Sequence, residues 1–147
     1  ALTWVNWEGI TKKHKKFASF IRDLIRLRKK LKIFNRLKFF SGKNIDNSGY
    51  KDIAWYTSTG KEFTNSDWHN QELKSLSYCV YTGNKFVLMI FNTHHQEQDW
   101  VLPLLPANMQ WKLVLDSSAG KFVSQELDSG KKVKIPAWSV IGIEVKK

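Results

Sequence analysis

Residues 75–92 (SLSYCVYTGNKFVLMIFN) decide the fold class of this chain. Apolar and polar side chains alternate along 75–81, and a second run, strongly apolar, follows at 85–92. Between them lies Thr82-Gly83-Asn84, in which glycine and asparagine readily adopt the positive φ angles of a tight turn. Two such runs joined by this turn predict an antiparallel β-hairpin.

Further strands are predicted on both sides of this hairpin. Short segments with a period of two recur, and turn residues separate them roughly every eight to twelve residues, which is typical of an antiparallel β-sandwich. The predicted strands are 52–57, 98–102, 110–115, 121–127, 132–135 and 139–145.

The N-terminal third has a different period. Apolar side chains recur every three or four residues between about Lys13 and Lys30, and neither Gly nor Pro interrupts the segment. This spacing predicts one long amphipathic helix that frays toward residue 36. The chain is therefore predicted to be mainly β: an antiparallel β-sandwich over 52–147, preceded by a helix within 1–40 and a linker loop at 41–51. The apolar stripe of the helix consists of Phe17, Phe20, Ile21, Leu24, Leu27 and Leu31.

Composition limits the class of protein. The chain has 147 residues, of which 42% are hydrophobic, and seven Trp and nine Phe indicate a folded domain. No apolar run is long enough to span a bilayer, and no signal peptide is visible, so we expect a cytoplasmic protein with no membrane partner. One Cys excludes an internal disulfide. One Cys and four scattered His argue against a zinc site, and we expect no cofactor.

The positive charge is concentrated near the N-terminus. Residues 1–51 hold 14 of the 24 Lys and Arg but 3 of the 13 Asp and Glu, so the whole net charge of +11 lies there. Basic residues around a helix can neutralise phosphates, so a nucleic-acid-binding domain is one alternative function. Lys and Arg are also the ordinary occupants of a solvated helix face, and we favour this interpretation.

The sequence offers no arrangement typical of catalysis. Hydrolysis of a sugar linkage needs two carboxylates that face one sugar ring. His94 and His95 are expected to point to opposite faces of a strand end, and Cys79 is expected to be buried. We therefore predict no catalytic residue and no metal ligand. Seven acidic residues of the β region lie in or beside polar loops: Asp67, Glu72, Glu97, Asp99, Asp116, Glu126 and Asp128.

The tryptophans suggest a second alternative function. A flat aromatic ring can stack on a pyranose, so an exposed Trp is a candidate sugar contact. Trp68 lies in the long polar connection 61–73 and is the best candidate for carbohydrate contact. Trp55, Trp111 and Trp138 lie in or beside predicted strands and are expected in the core. A carbohydrate-binding module that uses Trp68 therefore remains open.

Motifs along the chain resemble those of isoamylase-type glycogen-debranching enzymes of the α-amylase superfamily, glycoside hydrolase family 13. Residues 1–7 (ALTWVNW) resemble N-x-[LI]-[ST]-W-x-[DN]-W, and residues 20–30 (FIRDLIRLRKK) resemble F-x-x-x-L-I-x-L-R-K of the last barrel helix. Residues 53–68 resemble I-x-W-x-x-x-D-G-x-E-M-x-x-x-D-W, with Thr59 in place of the first Asp. Shorter matches follow at 91–93, 101–116 and 136–140, so the resemblance covers essentially the whole chain.

This resemblance implies a function for a longer parent enzyme. The parent would be a (β/α)8 barrel that hydrolyses α-1,6 branch linkages in glycogen or a related α-glucan, with its catalytic Asp and Glu residues upstream of Ala1. Residues 1–40 would be the remnant of that barrel with its last helix, and 52–147 the C-terminal sandwich that supports it. The expected partners are the barrel and, through it, α-glucan. Without the barrel, the helix stripe would fold back on the sandwich or mediate self-association.

Overall fold

A computed structural model describes residues 8–33, 36–45, 47–83 and 85–146. The chain divides into two compact units, Ala1–Phe34 and Asn35–Lys147. The first contains α1 (Lys12–Leu31), and the second contains the remaining elements. The predicted class, a mainly antiparallel β fold with one long N-terminal helix, is confirmed. The second unit consists of β1 (Ile53–Tyr56), α2 (Asn65–Trp68), β2 (Ser75–Tyr81), β3 (Phe86–Asn92), β4 (Gln98–Val101), β5 (Gln110–Asp116), β6 (Gln125–Leu127), β7 (Lys132–Ile135) and β8 (Ser139–Lys146).

Helix α1 is closed at both ends by local hydrogen bonds. The Thr11 hydroxyl accepts the backbone N–H of His14 at 3.3 Å, and His14 Nδ1 accepts the backbone N–H of Thr11 at 3.3 Å. This reciprocal pair satisfies two N–H groups that the helix itself cannot pair. Lys32 has a φ of 55° and donates its N–H to the Arg28 carbonyl, so the helix stops at Leu31. The helix therefore ends at Leu31, and residues 34 and 35 of the predicted frayed segment lie outside the described part of the chain.

A six-stranded antiparallel sheet in the order β1-β2-β3-β8-β5-β6 forms the second unit. The predicted hairpin is β2–β3, with Tyr78 opposite Met89 and a positive φ of 86° at Gly83 in its turn. Strand β8 lies between β3 and β5, and its register with β5 shifts between Leu113 and Leu115. Strands β4 and β7 pair separately as a two-stranded sheet.

The core lies between the two sheets. Leu88, Ile90 and Ile143 from the large sheet and Trp100 and Ile135 from the small sheet are almost fully buried. Burial of such side chains stabilises the fold by about 1.5–3 kcal/mol each. The sandwich is thus unequal, with six strands facing two, which the sequence did not predict.

Asp52 ties the preceding loop to the sheet. The residue is buried, with 3% of its surface exposed. One carboxylate oxygen accepts the N–H of Gly42 at 2.8 Å, and the other accepts the N–H of Ser41 at 2.9 Å and the Ser41 hydroxyl at 3.2 Å. Arg36 approaches the same carboxylate at 3.4 Å. Burial raises the pKa of Asp52, but these hydrogen bonds and then the Arg36 charge outweigh burial and hold the pKa below its ordinary value.

Two local features differ from the sequence predictions. A one-turn helix, α2, occurs in the predicted polar connection because Thr64 caps it. Trp138 is 71% exposed rather than in the core, since it occupies the tight turn before β8 with a φ of 52°. No helix in the described part of the chain is long and apolar enough to cross a membrane.

Candidate aromatic site

Trp68 is placed by the short helix α2 and its capping residues. The Thr64 hydroxyl lies 3.4 Å from the backbone N–H of Asp67, and the Asp67 carboxylate accepts the backbone N–H of Thr64 at 2.8 Å. The hydrogen bonds from the Thr64 hydroxyl and then from its backbone hold the pKa of Asp67 below its ordinary value. Asp67 therefore has a structural use, and the helix it caps presents Trp68 with 52% of its surface exposed.

Trp68 begins a row of aromatic rings that crosses the edge of the large sheet. Its ring lies 4.8 Å from Phe63 and 5.3 Å from Trp55, centroid to centroid, with edge-to-face geometry in both pairs. Trp55 in turn lies 5.4 Å from Tyr78, its register partner on β2. Tyr78 lies 5.8 Å from Phe91 on β3, with the two ring planes 28° apart. We call these five residues the aromatic row.

The aromatic row belongs to the outer face of the sheet. Tyr78 is followed in β2 by Cys79, which faces the core, and successive side chains of a strand point to opposite faces. Phe63 is fixed at the sheet edge because its N–H donates to the Trp55 carbonyl at 2.8 Å. The row is therefore anchored on β1, β2 and β3 and on the edge of the sheet at Phe63. Of its five rings, Trp68 is exposed and the other four are half-buried.

A groove of about 370 Å³ runs beside the row. Three of the rings line it, together with two leucines and three polar residues. The Thr93 hydroxyl donates to the Lys74 carbonyl at 2.6 Å, which joins the end of β3 to the start of β2. The lining residues are Trp55, Leu73, Lys74, Ser75, Leu76, Tyr78, Phe91 and Thr93. Such a surface offers flat apolar rings and hydroxyl groups side by side.

Tyr78 contributes both kinds of group to the groove. Burial raises the pKa of its hydroxyl above the ordinary value, so the hydroxyl stays neutral at physiological pH. The hydroxyl makes no hydrogen bond to any other residue that the structure describes. It is therefore free to donate to, or accept from, a polar ligand in the groove.

The two adjacent histidines are brought together rather than separated. The rings of His94 and His95 stack 4.2 Å apart, so the expectation of opposite faces was wrong. They follow β3 in a bend, where strand alternation no longer applies, and His94 Nδ1 accepts the N–H of Gln96 at 3.0 Å. Among the described residues, no group of three or more His, Cys, Asp or Glu side chains is placed to hold a metal.

The other residues that the sequence suggests for chemistry or for the core make structural contacts. Cys79 is buried, as expected, and burial raises the pKa of its thiol to about 12, which keeps it from acting as a thiolate. Trp111 is in the core, as predicted, and its Nε1 donates to the Pro103 carbonyl at 2.9 Å. Glu97 and Asp99 lie at 2.7 and 3.9 Å from Lys134 on the surface. Glu97 and then Asp99 raise the pKa of Lys134.

The aromatic row joins residues that sequence reasoning treated separately. The sequence predicts Trp68 as exposed, which is confirmed, and Trp55 in the core, which is wrong, because Trp55 lies on the outer face of the sheet beside Trp68. Tyr78 and Phe91 are not among the candidates that the sequence suggests. Their signal was present in the sequence: both occupy the strand positions that face away from Cys79, and they come within reach once β2 and β3 pair.

This chain is similar to known proteins whose names refer to the glycogen operon or to isoamylase. Two proteins called glycogen operon protein GlgX homolog, from Mycobacterium bovis (strain ATCC BAA-935 / AF2122/97) and Mycobacterium tuberculosis (strain ATCC 25618 / H37Rv), are each 30% identical to it. Each alignment covers 80% of this chain and 18% of the relative. The protein called isoamylase 3, chloroplastic, from Oryza sativa subsp. japonica, is 26% identical over 95% of this chain and 17% of the relative.

No family model matches the chain. The chain spans less than a fifth of the length of these curated relatives, at 17–18%. The mainly β fold with its long N-terminal helix agrees with the region that the motifs indicated. The order of those motifs and the similarity to the GlgX homologues and to an isoamylase agree in relating this chain to a region of isoamylase-type, glycogen-debranching enzymes.

Proposed function

We propose that this chain is a non-catalytic region of a glycogen-debranching enzyme, which hydrolyses α-1,6-glucosidic branch linkages in glycogen or a related α-glucan, and that it supports the catalytic barrel. The observation that carries the proposal is the similarity to a GlgX homologue over 80% of this chain but 18% of the relative. Most of the relative's length has no counterpart in these residues. The catalytic residues of the parent would lie there.

The uses of the carboxylates support the non-catalytic part of the proposal. Retaining glycosidases place two carboxyl groups about 5–5.5 Å apart across a sugar site. Here Asp52 holds the preceding loop, Asp67 caps α2, and Asp116 accepts the backbone N–H and hydroxyl of Ser118 at 2.9 and 2.7 Å. Each of these carboxylates orders its own turn or loop, which is the work expected of a structural domain.

The test is an assay of the purified chain on glycogen and on amylopectin. We expect no release of reducing ends, at enzyme concentrations at which a complete isoamylase-type enzyme gives a strong signal. A second measurement is the reading frame upstream of Ala1, which should encode a barrel with the family's catalytic Asp and Glu residues. Debranching by the chain alone, or an upstream frame that encodes no barrel, would refute the proposal.

A second candidate function is carbohydrate binding through Trp68. It is favoured by the 52% exposure of a ring that α2 holds at the sheet edge. Affinity electrophoresis in gels that contain glycogen tests it, and we expect retardation that weakens in Trp68→Ala. Trp138→Ala is the matched control because Trp138 is also exposed but lies outside the aromatic row. Retardation that is absent, or equal in the wild type and Trp68→Ala, would exclude this role for Trp68.

A further inference from the structure

The bend that follows β3 and the turn that precedes β8 are joined through a buried side chain. Asn92 is 1% exposed, and its NH2 group donates to the carbonyls of Gln96 in the bend and Pro136 in the turn, at 3.1 and 2.9 Å. Its side-chain oxygen accepts the His94 N–H at 3.0 Å. The His94 carbonyl in turn accepts the Trp138 N–H at 3.2 Å. We call this set of contacts the bend–turn junction.

We infer that the bend–turn junction is a pH-sensitive latch, which is closed while the His94 ring is neutral and opens when that ring is protonated. The latch is independent of the catalytic parent and of the carbohydrate binding proposed above. Two observations carry it: the hydrogen bond that the His94 ring accepts, and the stacking of that ring on a second histidine.

His94 holds the bend through a ring nitrogen that carries no proton. Nδ1 accepts the Gln96 N–H at 3.0 Å, and the side-chain amide nitrogen of Gln98 lies 3.3 Å from the same atom. An N–H two residues along the chain is the donor that an Asx turn binds, so the imidazole here takes the place of an Asn or Asp side chain. A neutral imidazole has one acceptor nitrogen, and an imidazolium has none. Protonation at Nδ1 therefore removes the acceptor of the Gln96 N–H.

The second histidine ring adds to the effect of protonation. The exposed His95 stacks on His94, with centroids 4.2 Å apart and ring planes 26° apart. Two neutral rings can keep this spacing, whereas two positive charges at such a distance repel each other. The stacked geometry is therefore one that the neutral pair adopts and that the doubly charged pair leaves.

The charged groups of the neighbouring segments do not compensate a positive ring. Glu97 and Asp99 lie 2.7 and 3.9 Å from Lys134 of β7, so these carboxylates already have a cation beside them. Lys74, which precedes β2 at the same end of the sheet, adds a further positive charge. The turn 136–139 (PAWS) has no ionisable side chain. A protonated His94 would thus gain no unmatched carboxylate from these segments.

The turn before β8 depends on the bend for one of its contacts. Trp138 has a left-handed φ of 52°, which is strained for an aromatic residue. Such a conformation persists where the surrounding contacts hold it, and the N–H bond from Trp138 to the His94 carbonyl is one of these contacts. When the bend loosens, this bond weakens and the strain favours rearrangement of the turn. The protonation of one ring therefore acts on both sides of the junction.

The first test is a pH titration of the isotope-labelled chain followed by NMR. A free imidazole changes charge near about pH 6.5, so the titration runs from about pH 8 to about pH 5. We expect the Gln96 amide proton to move upfield with the same midpoint as the His94 ring signals, because it loses its acceptor. The amide signal of Trp138 should shift or broaden at that midpoint. A Gln96 amide signal that does not follow protonation of His94 would overturn the inference.

The second test compares two histidine variants by urea unfolding at about pH 7.5 and about pH 5.5, on either side of the imidazole range. His94→Asn keeps an acceptor for the Gln96 N–H but does not titrate there. His69→Asn is the matched control: His69 Nδ1 lies 2.7 Å from the Asn65 carbonyl, so it donates a hydrogen bond that protonation preserves.

The closed junction binds the neutral ring, so its contribution to stability is present at the higher pH and lost at the lower one. On acidification, the unfolding equilibrium constants of the wild type and of His69→Asn should rise about threefold to tenfold more than that of His94→Asn, as the loss of one hydrogen bond would cause. Equal rises in all three proteins would refute the latch. If Gln96 follows the titration of His94 but Trp138 does not, the bend titrates alone and the inferred coupling to the turn is wrong. Because the titration uses the wild type, it decides the matter even if His94→Asn does not fold.

Discussion

Replacement of Asp52 by Asn should destabilise the second unit by about 2–4 kcal/mol at pH 7. The carboxylate accepts three short-range hydrogen bonds, from the Gly42 N–H, the Ser41 N–H and the Ser41 hydroxyl, and pairs with Arg36. Net hydrogen bonds to charged groups contribute about 1.5–3 kcal/mol each. Asn keeps one acceptor oxygen and turns an NH2 group toward the other donors, so one or two of these bonds are lost. At 3% exposure, water cannot replace them.

The same substitution has a pH signature. The pKa of Asp52 in the folded chain lies below its unfolded value of 3.8, so the ionised carboxylate stabilises the fold. This contribution is fully present above the unfolded pKa and is lost as the pH falls through the folded pKa. Asn has no such titration. The difference in unfolding free energy between wild type and Asp52→Asn should therefore be constant from pH 7 to about 5 and shrink below about pH 4.

The assay is urea unfolding followed by circular dichroism at several pH values. Asp99→Asn is the matched control, because Asp99 is exposed and its closest ion pair, with Lys134, is 3.9 Å long. We expect this control to change stability by less than about 0.5 kcal/mol. An Asp52→Asn effect no larger than that of the control, or a difference that does not shrink in acid, would refute the role assigned to this carboxylate.

Three other predictions concern single side chains of the second unit. Cys79, with its thiol pKa raised to about 12 by burial, should resist a thiol reagent at pH 8 in the folded protein and react fully in urea; rapid labelling of the folded protein would contradict its burial. Trp138→Gly should leave the midpoint of thermal unfolding unchanged or raise it slightly. Glycine relieves about 1–2 kcal/mol of strain at the left-handed φ of Trp138, which offsets its entropic cost of about 0.5–1 kcal/mol. A clear fall in the midpoint would show that the Trp138 ring makes stabilising contacts. Asn92→Asp should lower the free energy of unfolding by about 3 kcal/mol or more at pH 7, because the Asn92 amide donates to the carbonyls of Ile135 and Pro136 at 3.1 and 2.9 Å and these carbonyls would repel a carboxylate. The loss of stability should be smaller at pH 4, and an equal loss at both pH values would contradict this cause.

The elements that follow from local chemistry were predictable. Strand β2 matches its predicted bounds and β3 begins one residue late, because alternation and a Gly-containing turn are encoded within a few residues. Helix α1 likewise extends one residue beyond each predicted end. By contrast, the predicted strand 121–127 is reduced to Gln125–Leu127. Those three residues form a continuous ladder with β5, whereas Lys121 makes only an isolated bridge to Asp116.

Features that depend on distant partners were not predictable. The sequence pattern predicts both Trp111 and Trp138 in the core. Only Trp111 is buried there, and its Nε1 donates to the Pro103 carbonyl. The sequence predicts Asp52 as the start of a strand. Its hydrogen bonds to residues 41 and 42 depend on the fold of the preceding loop and have no local signal in the sequence. The aromatic row needs the pairing of β1, β2 and β3. The carbohydrate role of Trp68 and the division of the chain at 40 and 51 stay predictions.

The central position of β8 has a consequence for synthesis of the protein. Ser139–Lys146 pairs with β3 on one side and β5 on the other, so neither strand has its full complement of hydrogen bonds until these residues leave the ribosome. A nascent chain that ends before Ser139 would present an open edge and an uncovered apolar face, both of which invite aggregation. A premature stop codon there should thus abolish the sandwich rather than trim it, and chaperone demand should peak just before β8 is translated.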